Sequence, residues 1–321
     1  MAYAFLGIGL ALLFAGSEAL LRAGIGLSRG LGLPHLLTGL IVVSAASAAP
    51  EFAVALHALA RHAPNMAAAT VIGSNIVNVL LVIGLGALIA PLPTPPKIVF
   101  RDGFAFVLAS AALVLVVLTG TFTRIDGFVF LAGLLLFIAT SIVTDWRQRA
   151  DVSEARAQCR TVSESGAFNL FWFVVGLAAL YFGARCLIDG ALAVGADLNI
   201  SPAMMGLTAV ALAASLPEFV IMIAMAWRGW THVTVGHLLA ASIFNILAVL
   251  GLVAALHPFA VSRDQILPYA GLLLGVSVFI MPLMLMSWRM SRFNGALLFV
   301  GFIAYAGLLL WKMGLFTLPL G

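Results

Sequence analysis

Stretches of about twenty apolar residues recur along the whole chain, and that is the length a helix needs to cross the hydrocarbon core of a bilayer. Read between charged residues and Pro/Gly breaks, ten of them run Tyr3–Leu27, Leu36–Leu59, Met66–Ala90, Ile98–Thr119, Ile125–Thr144, Phe168–Leu192, Ala203–Trp227, Val233–Leu256, Ile266–Met286 and Asn294–Trp311. Lipid offers no partner to a backbone N–H or C=O, so each run predicts a helix, whose hydrogen bonds close within the segment. A membrane barrel would read instead as alternating segments of about ten residues. Only 9% of the 321 residues are charged, against about a quarter in soluble domains, so no sizeable soluble domain is left over. The expected fold class is an all-α integral membrane protein of ten transmembrane helices.

One hydrophilic segment, Asp145 to Gly166, divides the spans five and five, giving a first unit at 1–144, a linker at 145–167 and a second unit at 168–321. Met1 to Leu13 lacks the basic region and cleavage site of a signal peptide and reads as the start of a retained helix. Lys and Arg collect on one side: Arg22, Arg29, Lys97, Arg101, the linker arginines Arg147, Arg149, Arg156 and Arg160, then Arg228, Arg289 and Arg292. The other side has Arg61, Arg124, Arg263 and Lys312. The positive-inside rule makes the first side cytoplasmic, with both termini outside a cell membrane crossed many times. The formal net charge of +4 is spent on that asymmetry and forms no basic face for nucleic acid. Cys159 and Cys186 lie in unlike settings and indicate neither a disulfide framework nor a metal cluster.

The chain repeats itself. Shifting it by 218 − 51 = 167 positions aligns Gly39–Pro91 with Gly206–Pro258 without a gap, matching Gly39/Gly206, Pro50/Pro217, Glu51/Glu218, Phe52/Phe219, Asn78/Asn245, Gly84/Gly251 and Pro91/Pro258. Five spans per copy is an odd number, so the second copy enters the membrane from the opposite side. Two such inverted repeats of five helices put a binding site near the midplane, where the copies meet.

Each copy carries a run of small residues followed by Pro-Glu: Ser44-Ala-Ala-Ser47-Ala-Ala-Pro50-Glu51 and Ala211-Leu-Ala-Ala-Ser215-Leu-Pro217-Glu218. Proline removes a backbone donor and frees a carbonyl one turn earlier, while small side chains let an ion or a neighbouring helix approach. A carboxylate in hydrocarbon costs several kcal/mol unless it is protonated, paired or bound to a cation. Neither Glu51 nor Glu218 has a basic residue at helical reach in its own span. Ser44, Ser47 and Glu51, at i, i+3 and i+7, are expected on one face, as are Thr208, Ser215 and Glu218. The next span offers Ser74, Asn75 and Asn78 in the first copy, and Ser242 and Asn245 in the second. Carboxylates, hydroxyls, amide oxygens and freed carbonyls are hard ligands, suited to Ca²⁺ or Na⁺ rather than zinc or copper.

These paired segments resemble the two α-repeats of the cation/Ca²⁺ exchanger superfamily, the sodium/calcium exchangers and their prokaryotic relatives. The resemblance covers both halves. It implies an inverted five-plus-five helix fold in which Ca²⁺ and Na⁺ compete for shared sites, with Glu51 and Glu218 as central ligands and Ser47, Ser74, Asn78, Ser215 and Asn245 beside them. The ions are cargo, no cofactor is implied, and a single chain holds a complete site, so a monomer suffices. Where the family usually has Gly-Thr-Ser-x-Pro-Glu, this chain has Ala46-Ser-Ala-Ala-Pro-Glu51 and Ala213-Ala-Ser-Leu-Pro-Glu218. The hydroxyl matching Ser74 is replaced by Ala241, and His237 stands where the family often has Asn.

Glu18/Arg22 and Arg185/Asp189 align at the same offset with their signs exchanged, each an i,i+4 pair. They read as anchors of the two helices that the family slides during transport. His35, His57, His62, His232 and His257 sit at span ends and read as interfacial, as do Trp146, Trp172, Trp227, Trp230 and Trp288. The leading expectation is a secondary antiporter exchanging Ca²⁺ for Na⁺ by alternating access. Two others stay open: an exchanger of the same fold coupled to H⁺, with His237 taking part, or carrying Mg²⁺ or Mn²⁺; and a non-transporting sensor or scaffold. No zinc-protease helix, nucleophile elbow or phosphate-binding glycine loop speaks for an enzyme.

Overall fold

A computed structural model describes residues 1–30, 44–147, 166–227, 229, 231, 234–286 and 288–314. Residues 148–165 of the linker, Cys159 among them, and Gly39, His35, His232, Arg228 and Trp230 lie outside these described residues, as does the start of the second expected span, while the two ends of the expected linker are helical, in Arg124–Arg147 and Gly166–Asp197.

The chain is helical almost throughout, as its uninterrupted apolar runs require. Helix α1 covers Ala2–Gly30, followed by a short α2, Ser44–Ser47, and α3, Ala49–Ala60. Next come α4, Pro64–Ile89, α5, Ile98–Thr119, and α6, Arg124–Arg147. The second half opens with α7, Gly166–Asp197, continues through α8, Pro202–Ala214, and α9, Leu216–Trp227, and ends with α10, Thr234–Leu256, α11, Arg263–Leu285, and α12, Arg292–Lys312. Eight of these are long and apolar enough to cross a membrane, and a ninth is counted if α8 and α9, bent by 44° at Ser215, are one span. The expected second span is represented by α2 and α3, the latter a shorter apolar helix.

Helices α4 and α10 form the centre of the bundle: 78% and 83% of their apolar windows are buried, against 28–44% for the other spans. Around them, residues such as Phe100, Leu115, Leu135 and Val300 are exposed, as a lipid-facing surface is. Long α1 lies along α7, and glycines seven apart set the approach. A Cβ on Gly9 would fall 2.5 Å from the Leu187 backbone nitrogen, and one on Gly183 would fall 2.8 Å from that of Leu13. Small residues at such spacing are how membrane helices gain van der Waals contact without a hydrophobic drive between them.

An all-α reading misses two short ribbons. Strand β1, Leu92–Pro93, pairs antiparallel with β4, Arg289–Met290, and β2, Thr121–Phe122, pairs with β3, Phe259–Ala260. Each ribbon joins one half of the chain to the other. Two-residue strands are too short for a period-2 pattern, so nothing in the sequence marks them.

Candidate ion-binding site

The site is built at two helix breaks. Ala48, between α2 and α3, has φ −80°, ψ −4°, and Ser215, between α8 and α9, has φ −81°, ψ 1°. They are 215 − 48 = 167 positions apart. Each break is followed by proline, so the turn carbonyls of Ala46 and Ala213 lack the N–H that residues 50 and 217 would otherwise supply, although the Ala213 carbonyl takes a backbone N–H at the cap instead. Glu51 and Glu218 start the helices beyond the breaks, and both are buried, at 0% and 1% exposure.

The facing helices carry a matching irregularity. Asn78 begins a π-helical turn, Asn78–Ile83, in α4, and Asn245 begins another, Asn245–Leu250, in α10. Such turns widen the helix locally and occur often at functional sites. Close packing of α4 on α8 brings the two halves together here: a Cβ on Gly73 would lie 2.8 Å from the Ala211 side chain.

Side chains then cross between repeats. Ser47 of the first repeat donates to Glu218 Oε1 of the second at 2.6 Å, and Asn245 of the second donates through Nδ2 to Glu51 Oε1 at 3.2 Å. Ser215 donates to the Ser74 carbonyl at 3.4 Å. Neither glutamate is in an ion pair among the described residues. Glu51 Oε2, Glu218 Oε2, Asn78 Oδ1 and Asn245 Oδ1 are buried with no hydrogen-bond partner. Unpartnered buried acceptors are rare and costly, and a cation is the partner that oxygens alone can serve. Among the described residues no three His, Cys, Asp or Glu side chains cluster to hold a metal, so two carboxylates and neutral oxygens make up the donor set.

All seven expected site residues, Glu51, Glu218, Ser47, Ser74, Asn78, Ser215 and Asn245, are buried; hydrogen bonds link Ser47 to Glu218, Asn245 to Glu51 and Ser215 to Ser74, while the Asn78 amide has no hydrogen-bond partner. Two expectations of shared faces need correction. The break at Ala48 interrupts the register that put Ser47 with Glu51, and Ser47 serves Glu218 instead. Likewise a π turn over Gly206–Val210 and the break at Ser215 separate Thr208 from Glu218, and Thr208 bonds back to the Met204 carbonyl at 2.7 Å. The side chain of Ser44 lies outside the described residues.

Charges near the site also differ from their sequence reading. Glu18 and Arg22 form the expected pair at 2.7 Å, exposed. Asp189 keeps its expected i,i+4 partner Arg185 at 3.9 Å and is held more closely by Arg61, just past the end of α3, at 2.6 Å. His57, expected at the interface, has only 13% of its side chain exposed and meets the Tyr181 ring edge-on. Trp172, Trp227 and Trp288 are exposed, as belt residues are. One carboxylate escaped notice: Asp102, 1% exposed in α5, is bound by its neighbour Arg101 at 2.6 and 3.1 Å. An Arg-Asp pair just inside a predicted span was the available signal.

Comparison with known proteins accords with this geometry. The family described as sodium/calcium exchanger protein matches residues 1–143 and 168–311. The chain is 33% identical to the inner membrane protein YrbG of Escherichia coli (strain K12), over 97% of each. It is 23% identical to the sodium/calcium exchanger MaX1 of Methanosarcina acetivorans, over 93% of this chain and 95% of that one. In fold it is similar to the sodium-calcium exchanger NCX_Mj soaked with 10 mM Na⁺ and 10 mM Sr²⁺, with a TM-score of 0.66, 24% identity and coverage of 95% and 97%. The buried glutamate pair thus sits in a multi-pass membrane protein that belongs to the sodium/calcium exchanger protein family.

Proposed function

We propose that this chain is a secondary antiporter exchanging Ca²⁺ for Na⁺ by alternating access, with Glu51 and Glu218 as ligands common to both ions. The observation that carries the reading is the pair of buried glutamates at symmetry-related breaks, each with one oxygen lacking a partner and neither with a counter-charge. Two bare carboxylates in a low-dielectric core cost several kcal/mol each. An ion-free site with both groups ionised therefore resists occlusion, whereas one Ca²⁺, or several Na⁺ in its place, cancels the charge and lets the site change its exposure. Because the ligands are shared, the two ions exclude each other, and net movement becomes exchange. The names of MaX1 and NCX_Mj, both sodium/calcium exchangers, support the same choice of ions.

The membrane arrangement belongs to this proposal: ten spans as two inverted repeats of five, α2 and α3 completing the second span, with both termini outside and the linker cytoplasmic. The ribbons agree with that path, since it puts β1 and β4 on one face and β2 and β3 on the other.

A second reading rests on His237, whose Nε2 is buried without a partner near the start of α10. It keeps the fold and couples divalent flux to protons, or takes Mg²⁺ or Mn²⁺ as the divalent ion. The deciding experiment is ⁴⁵Ca²⁺ uptake into Na⁺-loaded proteoliposomes diluted into Na⁺-free buffer, beside a run with a proton gradient alone. Uptake that requires internal Na⁺ and is lost in Glu51→Gln supports the proposal. Uptake driven only by protons replaces Na⁺ with H⁺, and no uptake under either gradient overturns Ca²⁺ exchange.

A further inference from the structure

The two short ribbons stand at matching places in the repeat, yet they carry opposite side chains. Since 259 − 92 = 167, β1 and β3 are mates at the repeat offset. At the β2–β3 ribbon the aromatic rings turn inward: Phe122 and Phe259 stack with centroids 4.7 Å apart, and both are buried. Charges around that ribbon are balanced, Arg124 and Arg263 beside Asp126 and Asp264.

At the β1–β4 ribbon both features reverse. Phe100 and Trp288 meet with ring centroids 6.1 Å apart and stay exposed, as does Phe293 near the start of α12. Trp288 has a left-handed backbone, φ 52°, and its carbonyl accepts from the Thr94 amide at 2.8 Å. A bulky residue rarely takes that conformation, and here the ribbon holds it.

Charge is one-sided as well. Residues 89–101 and 286–294 contain Lys97, Arg101, Arg289 and Arg292 and no acid. Arg289 lies across the ribbon from Pro93, Arg292 opens α12, and both are exposed, while Lys97 stands half-buried just before α5. Arg292 reaches the Ile89 carbonyl at 3.4 Å, and neither Arg289 nor Arg292 is in an ion pair among the described residues. Arg101 is engaged with buried Asp102. Partial burial, and then the like charge of Arg101, lower the Lys97 ammonium from its ordinary value. In the other copy the mates of Lys97, Arg289, Arg292 and Phe293 are Asp264, Phe122, Ile125 and Asp126. The cluster is therefore no by-product of the duplication.

We propose that the β1–β4 ribbon binds the headgroup of an anionic phospholipid, with its phosphate on Arg289, Arg292 and Lys97 and its glycerol end against Phe100 and Trp288. Guanidinium groups match phosphate oxygens in pairs, and clustered basic residues at a membrane surface draw anionic lipid. Aromatic rings settle at the level of the headgroups. The ribbon lies where α4, α5, α11 and α12 end or begin, so headgroups surround it. In the membrane arrangement proposed above this is the cytoplasmic face, whose leaflet is the anionic one. Because β1 belongs to the first half of the chain and β4 to the second, one bound lipid clips the two together. The inference concerns this surface alone and stands whether or not the protein exchanges Ca²⁺.

The test is thermal unfolding of the purified full-length chain in neutral detergent, titrated with dioleoyl phosphatidylglycerol, dioleoyl phosphatidylcholine or inorganic phosphate, with bound lipid counted by native mass spectrometry. A ligand of the folded state raises its midpoint, so phosphatidylglycerol is expected to raise it saturably, with one lipid held per chain, and the other two additives to leave it in place. The rise should vanish in Lys97→Gln/Arg289→Gln/Arg292→Gln. It should persist in Arg289→Lys/Arg292→Lys, which keeps the charge, and in Arg124→Gln/Arg263→Gln at the other ribbon. Should the triple variant not fold, Arg289→Glu alone reads the same loss by reversing one exposed charge. An equal rise with phosphatidylcholine, a full rise in the charge-removed variants, or its loss in Arg124→Gln/Arg263→Gln would overturn the site. A rise with inorganic phosphate alone would make the ligand a soluble anion and overturn the lipid.

Discussion

Ser47 donates its hydroxyl to Glu218 across 171 positions of sequence, from the first repeat into the second, at 2.6 Å. The bond ties a break in one half to the carboxylate of the other. Ser47→Ala leaves Glu218 without its hydroxyl donor, and a buried acceptor stripped of its partner costs about 1–3 kcal/mol. Thermal unfolding in detergent, without divalent ions, is expected to come earlier in Ser47→Ala and to be restored in Ser47→Thr; equal midpoints in all three would count against a structural bond.

The glutamates carry opposite predictions for stability and binding. Removing one charge from a buried, ion-free pair relieves repulsion, so Glu51→Gln and Glu218→Gln should match or exceed the wild-type midpoint in chelator. Calcium should no longer raise that midpoint, because losing one partner of a buried charge contact costs about 2–5 kcal/mol, roughly 30-fold to several thousand-fold in affinity. A wild-type-sized calcium shift in both variants would remove these residues from the site.

Close backbone contact between α1 and α7 depends on hydrogen at Cα. In Gly183→Val the new Cβ would fall 2.8 Å from the Leu13 nitrogen, and overpacking of this kind costs about 1–3 kcal/mol. The expected outcome is a lower melting temperature with the selectivity of any remaining flux unchanged. An unaffected midpoint would mean that the two helices part readily.

At the C-terminal end of α3, the Arg61–Asp189 pair is partly exposed, with 42% and 31% of the side chains accessible. Exposed ion pairs contribute about 0–1 kcal/mol and weaken in salt. Arg61→Ala should therefore shift stability by less than about 1 kcal/mol, and the difference from wild type should shrink at high ionic strength. A larger, salt-insensitive loss would give the Asp189, His57 and Arg185 cluster a heavier structural role.

Orientation is open to a direct check through the two cysteines. With Cys186 replaced by Ala, a membrane-impermeant maleimide applied to intact cells should reach Cys159 only after permeabilisation. Labelling in intact cells would invert the proposed topology.

Much of this arrangement was legible in the chain because it is repeated. Glu51/Glu218 and Asn78/Asn245 stood out by recurring at one offset, and the apolar runs marked the helices by their length. What stayed hidden depends on contacts between copies. Nothing in the local pattern of Ser47 directs it to Glu218 rather than Glu51, because a helix break resets the register in a way that residue spacing does not encode. Asp102 was missed because its neighbour Arg101 read as a charge at the membrane edge, and Arg61–Asp189 because the nearer Arg185 gave a sufficient partner in sequence.

The two-residue ribbons bear on how the protein is made. Leu92 finds its partner Met290 only after 290 − 92 = 198 more residues have been added, roughly 10–40 s at 5–20 residues per second. Thr121 waits for Ala260 in the same way. The newly inserted first half therefore sits in the membrane with both of its strand edges and the unscreened Glu51 open, a period in which an insertase or a partner lipid has something to shield.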